Sequence, residues 1–68
     1  MMWEEAFLLT GDTSVRCRDG MLGEIVRWDE ARQCLGIQVP RERTIRVVPV
    51  ERLLNLGGGV LVEAADSD

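Results

Sequence analysis

The chain has 68 residues and a formal net charge of −4, from twelve acidic residues and eight arginines. A chain this short buries only about 60% of its unfolded surface, so we expect a single domain over residues 1–68 with a thin stability margin. No apolar run is long enough for a membrane span and no signal peptide is visible, so a cytoplasmic location is expected. The acidic balance disfavours nonspecific binding to nucleic-acid phosphates.

Cysteine usage limits the chemistry further. Cys17 and Cys34 lack the spacing of a zinc site and the chain has no histidine, so we expect two small, buried thiols and no cofactor. The aspartates lie where turns favour Asp, which argues against a metal site. Without a histidine base Cys17 is a poor nucleophile, and we expect no enzymatic activity. Oligomerisation, with a homodimer favoured, is then the expected source of extra stability.

The first nine residues are compatible with two structures. Trp3, Ala6 and Phe7 share a helical face, whereas Trp3, Phe7 and Leu9 share one side of a strand. No Ser, Thr, Asp or Asn precedes the segment to cap a helix, and so short a helix is marginal. The strand is therefore favoured.

The segment Val15 to Trp28, VRCRDGMLGEIVRW, predicts a β-hairpin. Two alternating runs flank Asp19 and Gly20, a pair that favours positive φ at the central residues of a tight turn. Gly23 predicts either a bulge or a close approach of two backbones. The inner face of the second strand stays open, and that choice decides whether Trp28 lies in the core or at a surface.

Two more strands follow the hairpin. In the strand at 34–39 the alternating apolar residues are expected to point inward. The next strand, at 44–48, has Arg46 and Val48 on one face, and it ends at Pro49 because proline cannot donate to a ladder.

The last third of the chain contains one more turn and one more strand. Val50 to Leu54 predicts a single helical or 3₁₀ turn. Val60 to Ala64 predicts a strand with Val60 and Val62 pointing inward. Residues 65–68 form an acidic tail with nothing to bury.

Short strands separated by Gly- or Pro-marked turns predict an all-β fold. The chain is too short for an immunoglobulin sandwich. We therefore expect a small SH3-like β-barrel of roughly five to six antiparallel strands with one short helical turn.

The hairpin and the later strand end together resemble the PRC-barrel family. The matching patterns are V-x-C-x-D-G-x-x-G-x-I at Val15 to Ile25 and V-V-P-V at Val47 to Val50. The family includes the cytoplasmic domain of the photosynthetic reaction-centre H subunit and the C-terminal domain of a ribosome-maturation factor. The resemblance implies a PRC-type β-barrel adaptor that binds protein partners and carries no chemistry of its own.

A second resemblance is to the KOW-type modules of ribosomal and transcription proteins, and it implies contact with nucleic acid. The residues that carry it are Gly11, Asp12, Val15, Gly20, Gly23 and Ile25. The candidate surface for RNA, or for an acidic partner, is a basic patch formed by Arg16, Arg18, Arg41, Arg43 and Arg46. The favoured alternative is a solvated sheet face on which neighbouring glutamates balance these arginines.

Trp3, Trp28 and Val48 are the candidate residues of a protein interface. A barrel this small has room for about one indole inside, so at least one tryptophan is expected at the surface, where aromatic residues favour interfaces. The alternative is that both tryptophans cover the open ends of the core. The sequence thus predicts a non-enzymatic module that self-associates or docks on another protein, with RNA binding as the alternative.

Overall fold

The computed structural model describes residues 1–64, whose six strands form one curled, mixed sheet shaped as a half-barrel. The predicted all-β fold is confirmed. Helix α1 (Trp3–Phe7) comes first, and a 3₁₀ turn (Val50–Arg52) joins the fourth strand to the fifth. The strands are β1 (Ser14–Arg16), β2 (Leu22–Asp29), β3 (Cys34–Gln38), β4 (Arg46–Pro49), β5 (Leu53–Asn55) and β6 (Val60–Glu63).

Across the sheet the strand order is β4-β3-β2-β1-β6-β5, so β4 and β5 are the two edges. The expectation of antiparallel strands throughout is wrong at one place, because β1 and β6 pair in parallel. The 3₁₀ turn carries the chain from one edge of the sheet to the other. The hairpin β5–β6 then folds back so that β6 lies beside β1 and runs in the same direction.

The predicted hairpin is confirmed as β1–β2. Its turn is closed by the Gly20 amide, which donates to the Cys17 carbonyl at 2.9 Å, and Gly20 has a φ of +88°. Asp19 does not adopt a positive φ. Its Oδ1 instead accepts a hydrogen bond from the Met21 amide at 3.1 Å. The turn therefore requires a left-handed backbone at the glycine alone, where L side chains are strained.

Gly23 marks a close approach of two strands rather than a bulge. A Cβ atom at this position would lie 2.5 Å from Ile37 Cγ2 and 2.9 Å from the carbonyl oxygen of Gln38. The missing side chain is thus what allows β2 and β3 to pack at this distance.

The bulge of β2 lies between Ile25 and Arg27. An extra residue shifts the side-chain alternation by one, so the inner side of β2 carries Ile25 before the bulge and Trp28 after it. Ile25 is buried, and Trp28 is half-buried and packs against the core. Neither alternating face of β2 is therefore inner over its whole length: the face of Gly23 and Ile25 is inner before the bulge, and Trp28 joins it only after the bulge, while Leu22 and Val26 stay exposed.

The core lies inside the curl of the sheet. The predicted inward residues of the third strand are confirmed, and both cysteines are buried with free thiols. The core cluster comprises Ala6, Val15, Cys17, Ile25, Leu35, Ile37, Val39, Val48, Val50, Leu53 and Leu61.

The predicted inward face of the last strand is wrong. Leu61 is fully buried, whereas Val60 is exposed. Residues 60–62 are all apolar, so alternation cannot choose a face. The choice follows from pairing, because Leu61 lies opposite the buried Val15 of β1.

The strand predicted for the first nine residues is also wrong, because the segment contains α1. No side chain caps the helix, and contacts with the sheet hold it instead. Ala6 is fully buried, and its carbonyl accepts a hydrogen bond from Trp28 Nε1 at 3.1 Å. Asn55 Nδ2 donates to Glu5 Oε2 at 2.6 Å. A helix of five residues is unstable alone, so these tertiary contacts decide its conformation.

No helix within residues 1–64 is long and apolar enough to cross a membrane. The acidic tail predicted at 65–68 lies outside the described residues.

Candidate interaction surfaces

The prediction that Val48 belongs to a protein interface is wrong. Val48 is 4% exposed and belongs to the core, whereas Val47 is 59% exposed on the outer side of β4. Val48 pairs with Leu35, which is itself fully buried on the inner side of β3. The face of β4 that carries Arg46 and Val48 is therefore the inner one.

Arg46 forms an ion cluster with Asp19 and Glu42, which we call the Arg46 cluster. Its guanidinium binds both oxygens of Glu42, with Nε donating to Oε1 at 2.9 Å. Its Nη1 donates to Asp19 Oδ1 at 3.1 Å, and Nη2 lies 3.0 Å from Asp19 Oδ2. The cluster therefore ties the β1–β2 turn to the β3–β4 connection.

The electrostatics around Arg46 follow from these hydrogen bonds. They hold the pKa values of Asp19 and Glu42 below the ordinary carboxyl values, and they raise the pKa of Arg46. Burial raises the pKa of the Cys17 thiol, and the nearby Arg46 charge offsets this only in part. A thiol that burial keeps protonated is a poor nucleophile.

The other predicted members of the basic patch lie on separate segments. Arg16 is on β1, Arg18 is in the β1–β2 turn, and Arg41 and Arg43 are in the β3–β4 connection; all four are exposed or partly exposed. The guanidinium of Arg46 is engaged by two carboxylates. A continuous arginine face for RNA stays a prediction. Within it, the charge of Arg46 is already balanced by Asp19 and Glu42.

The two candidate tryptophans lie at the same end of the core, next to α1. Both are half-buried and pack against the core cluster, and both keep part of the ring exposed. Trp28 is held by its hydrogen bond to Ala6. Trp3 contacts Phe7 on the same helix, with ring centroids 6.3 Å apart and planes tilted by 54°.

An open pocket of about 480 Å³ lies beside this aromatic pair. We call it the α1 pocket. It is lined by Trp3, Glu4, Phe7, Leu8 and Glu30. Phe7 is 61% exposed and Leu8 is 80% exposed, so this end of the molecule presents apolar side chains among carboxylates.

A second apolar surface covers the outer side of the β5–β6 hairpin. Leu54 lies opposite Val62, and the Leu56 amide donates to the Val60 carbonyl at 3.2 Å, so the four side chains form two adjacent cross-strand pairs. Leu54 is 53%, Leu56 68% and Val60 36% exposed, and Val62 is half-buried. We call these four residues the hairpin patch.

The hairpin patch could not be predicted from alternation, which places Val60 and Val62 inside the barrel. The available signal was the absence of alternation. Residues 60–62 are apolar without interruption, as are Leu53 and Leu54. A strand that is apolar on both faces is typical of one covered on both sides.

Within residues 1–64, no group of three or more His, Cys, Asp or Glu side chains is arranged to hold a metal ion. Comparisons of the chain with family models, with curated proteins and with solved structures found no match. The PRC-barrel resemblance stays a prediction, and a functional proposal has to rest on the surfaces described above.

Proposed function

We propose that this chain is a non-enzymatic interaction module that forms a homodimer through the hairpin patch. The observation that carries the proposal is the two-sided apolar character of the β5–β6 hairpin. On its inner side Leu53 and Leu61 are fully buried, and on its outer side the hairpin patch meets solvent. Exposed contiguous apolar surface of this kind marks an interaction site.

The position of the hairpin supports the same conclusion. β5 is an edge strand, so one side of its backbone has no neighbouring strand within the described sheet. At Leu53 this side is covered by the chain itself, because the Leu53 carbonyl accepts a hydrogen bond from the Met1 amino group at 2.9 Å and the Leu53 amide donates to the Val50 carbonyl. A second copy is therefore expected to contact the outer face of the hairpin rather than the backbone edge. The side chains of β5, in the sequence LLN, include no charge that would oppose such a contact.

A dimer of this chain needs more surface than the hairpin patch alone provides. A standard interface buries about 800 Å² per partner, roughly one sixth of the 4815 Å² accessible surface of this chain. The contact must therefore extend past the four side chains of the hairpin patch. Leu22 continues it, since Arg16 pairs with Val62 on one side and with Leu22 on the other.

Charges next to the hairpin patch are compatible with a two-fold axis. Arg16 and Glu24 lie in neighbouring rows of the same outer face, because Glu24 pairs with Ser14. In a two-fold interface each copy presents the same patch to the other. Arg16 of one copy can therefore pair with Glu24 of the second copy. A dimer contact would also stabilise the fold, since a domain this small gains stability by oligomerising.

The test is the mass of the protein in solution as a function of concentration. Light scattering after size exclusion, and sedimentation velocity, over about 1 µM to 1 mM should show a dimer in equilibrium with a monomer. Leu54→Glu and Leu56→Glu should each weaken the dimer by at least about tenfold, because each buries an unpaired charge.

Val47→Glu is the matched control, because Val47 is exposed to a similar degree on the opposite edge strand. This variant should leave the dimer unchanged. Circular dichroism should show all three variants folded, since each substituted side chain is exposed. A strictly monomeric wild type at the highest concentration, or equal loss of dimer in the Val47 variant, would contradict the proposal.

A further inference from the structure

The α1 pocket is distinct from the hairpin patch and has a different chemistry. Its two aromatic rings belong to Trp3 and Phe7, which lie one helical turn apart on α1. Their centroids are 6.3 Å apart, so a group placed beside both rings can lie within about 6 Å of each centroid. That distance is the range in which a cation is attracted to the face of an aromatic ring.

The charges around the pocket are of one sign. Glu4 and Glu30 line it, and no arginine does. Neither Glu4 nor Glu30 takes part in the ion pairs of the Arg46 cluster. Because the chain as a whole carries a net charge of −4, a cation is attracted at long range as well. An anion would be repelled.

We propose that the α1 pocket binds the side chain of an arginine from a partner polypeptide. A guanidinium is planar and can stack on the Trp3 ring, while its N–H groups reach a carboxylate through two parallel hydrogen bonds. A lysine ammonium is a compact, strongly hydrated charge, so it stacks on a ring less well and cannot form the two parallel hydrogen bonds. The volume of about 480 Å³ also leaves room for residues that flank the arginine.

The first experiment follows the indole N–H of Trp3 by two-dimensional NMR while peptides are added to the wild-type protein. The peptides are acetyl-Gly-Arg-Gly-amide, the same peptide with lysine, and the same peptide with citrulline, which has the shape of arginine without its charge. The arginine peptide should shift Trp3 and Phe7 in a saturable way with an affinity of about 1 mM or weaker. The lysine peptide should bind roughly threefold more weakly, and citrulline should cause no saturable shift.

Two variants and one control locate the binding. Glu30→Gln and Phe7→Leu should each weaken arginine binding about fivefold, and both substitute exposed side chains. Asp12→Asn removes a charge from the exposed turn before β1, outside the residues that line the pocket, and should change the affinity less than about twofold.

The outcomes separate this proposal from its alternatives. Equal shifts with arginine and citrulline would show that charge is not recognised, and an equal loss in the Asp12 and Glu30 variants would show only nonspecific attraction. Trp3 shifts that depend on protein concentration alone would mean that an arginine of a second copy occupies the pocket. That result would contradict the proposal that a separate partner supplies the arginine. Arginine binding that persists in the Leu54→Glu variant would show that the pocket acts independently of the dimer.

Discussion

The two edges of the sheet are held in place by different forces. At the β4 edge, Arg46 reaches across to Glu42 and Asp19, and Pro49 ends the strand. At the β5 edge, Leu53 fills the core from inside and Leu54 stands exposed outside. Charges and prolines on an edge oppose pairing with another chain, whereas an apolar edge invites it. The β4 edge is thus protected by charges, whereas at β5 the Leu53 backbone is bonded to Met1 and Val50 and what stays exposed is the apolar outer face.

The largest effect is expected at the apolar edge. Leu53→Ala should lower the free energy of unfolding by about 2–5 kcal/mol, because a fully buried leucine is lost and a cavity remains. Leu54→Ala, one residue further on the exposed face, should change the free energy of unfolding of the monomer by less than about 0.5 kcal/mol. Urea denaturation at a protein concentration below dimerisation measures both. Similar losses from the two variants would show that the inner and outer faces of β5 are assigned wrongly.

The next largest effect is expected where β2 packs closely against β3, the strand that pairs with the β4 edge. Gly23→Ala should destabilise the protein by about 1–3 kcal/mol, because the new Cβ would clash with Ile37 and with the backbone of Gln38. Gly11→Ala is the control, since a Cβ there would lie 3.8 Å from the Ile25 carbonyl oxygen, an ordinary contact. Thermal unfolding compares the two variants. A neutral Gly23 variant would mean that β2 and β3 can move apart without cost.

A smaller, pH-dependent effect is expected from the Arg46 cluster. Arg46 holds the pKa values of Asp19 and Glu42 below their ordinary values of 3.8 and 4.5. The unfolded state therefore binds more protons than the folded state as the pH falls, so the stabilisation is complete above about pH 5 and is lost below it. The unfolding free energy of the double variant D19N/E42Q should fall less steeply with acid than that of the wild type.

Urea titrations from about pH 6 to pH 2 measure this slope. The amide oxygen that Asp19→Asn introduces can still accept the hydrogen bond from the Met21 amide, so the turn is preserved. High salt should reduce the difference between wild type and double variant, because Asp19 is exposed and Glu42 is partly exposed. Asp12→Asn, outside the cluster, should keep the wild-type slope. Identical slopes for the wild type and the double variant would show that the cluster adds no stability.

The smallest effect is expected from the exposed arginines beside the β4 edge. The double variant R41A/R43A should stay within about 0.5 kcal/mol of the wild-type stability. Labelled RNA at about 50 mM salt should show no saturable binding to the wild type, because the net charge of −4 opposes it. Fluorescence anisotropy measures the binding. Saturable binding that the double variant weakens would favour the RNA-binding alternative.

The local pattern of the sequence was sufficient for several elements. The hairpin with its turn glycine, the inward residues of the third strand, the buried cysteines and the 3₁₀ turn were all predicted from short stretches. Each depends on neighbours in the chain: a positive φ that favours glycine, an alternation with period two, or a proline that ends a strand. A glycine inside a strand is also a local signal, and for Gly23 it predicted either a bulge or the close backbone approach that the structure shows.

The candidate surfaces were harder to predict, because they depend on which strands become neighbours. Val48 lies in the core since the sheet curls around it, and the hairpin patch formed because Leu61, not Val60, faces β1. Of the predicted basic patch, the structure placed Arg46 against Asp19, 27 residues earlier in the chain. The α1 pocket depends on the helical state of the first residues, because Trp3, Glu4 and Phe7 of α1 line it.

The sequence by itself determined that this is a small all-β domain built around the Val15 to Trp28 hairpin, since turn chemistry and alternation act between residues close in the chain. The tertiary structure alone decided the helical state of α1, the parallel pairing of β1 with β6, and which apolar side chains stay outside. The physical reason is that residues such as Val60, Leu61 and Val62 have similar hydrophobic preference for burial. Only the packing of distant strands selects which of them is buried and which is left for a partner.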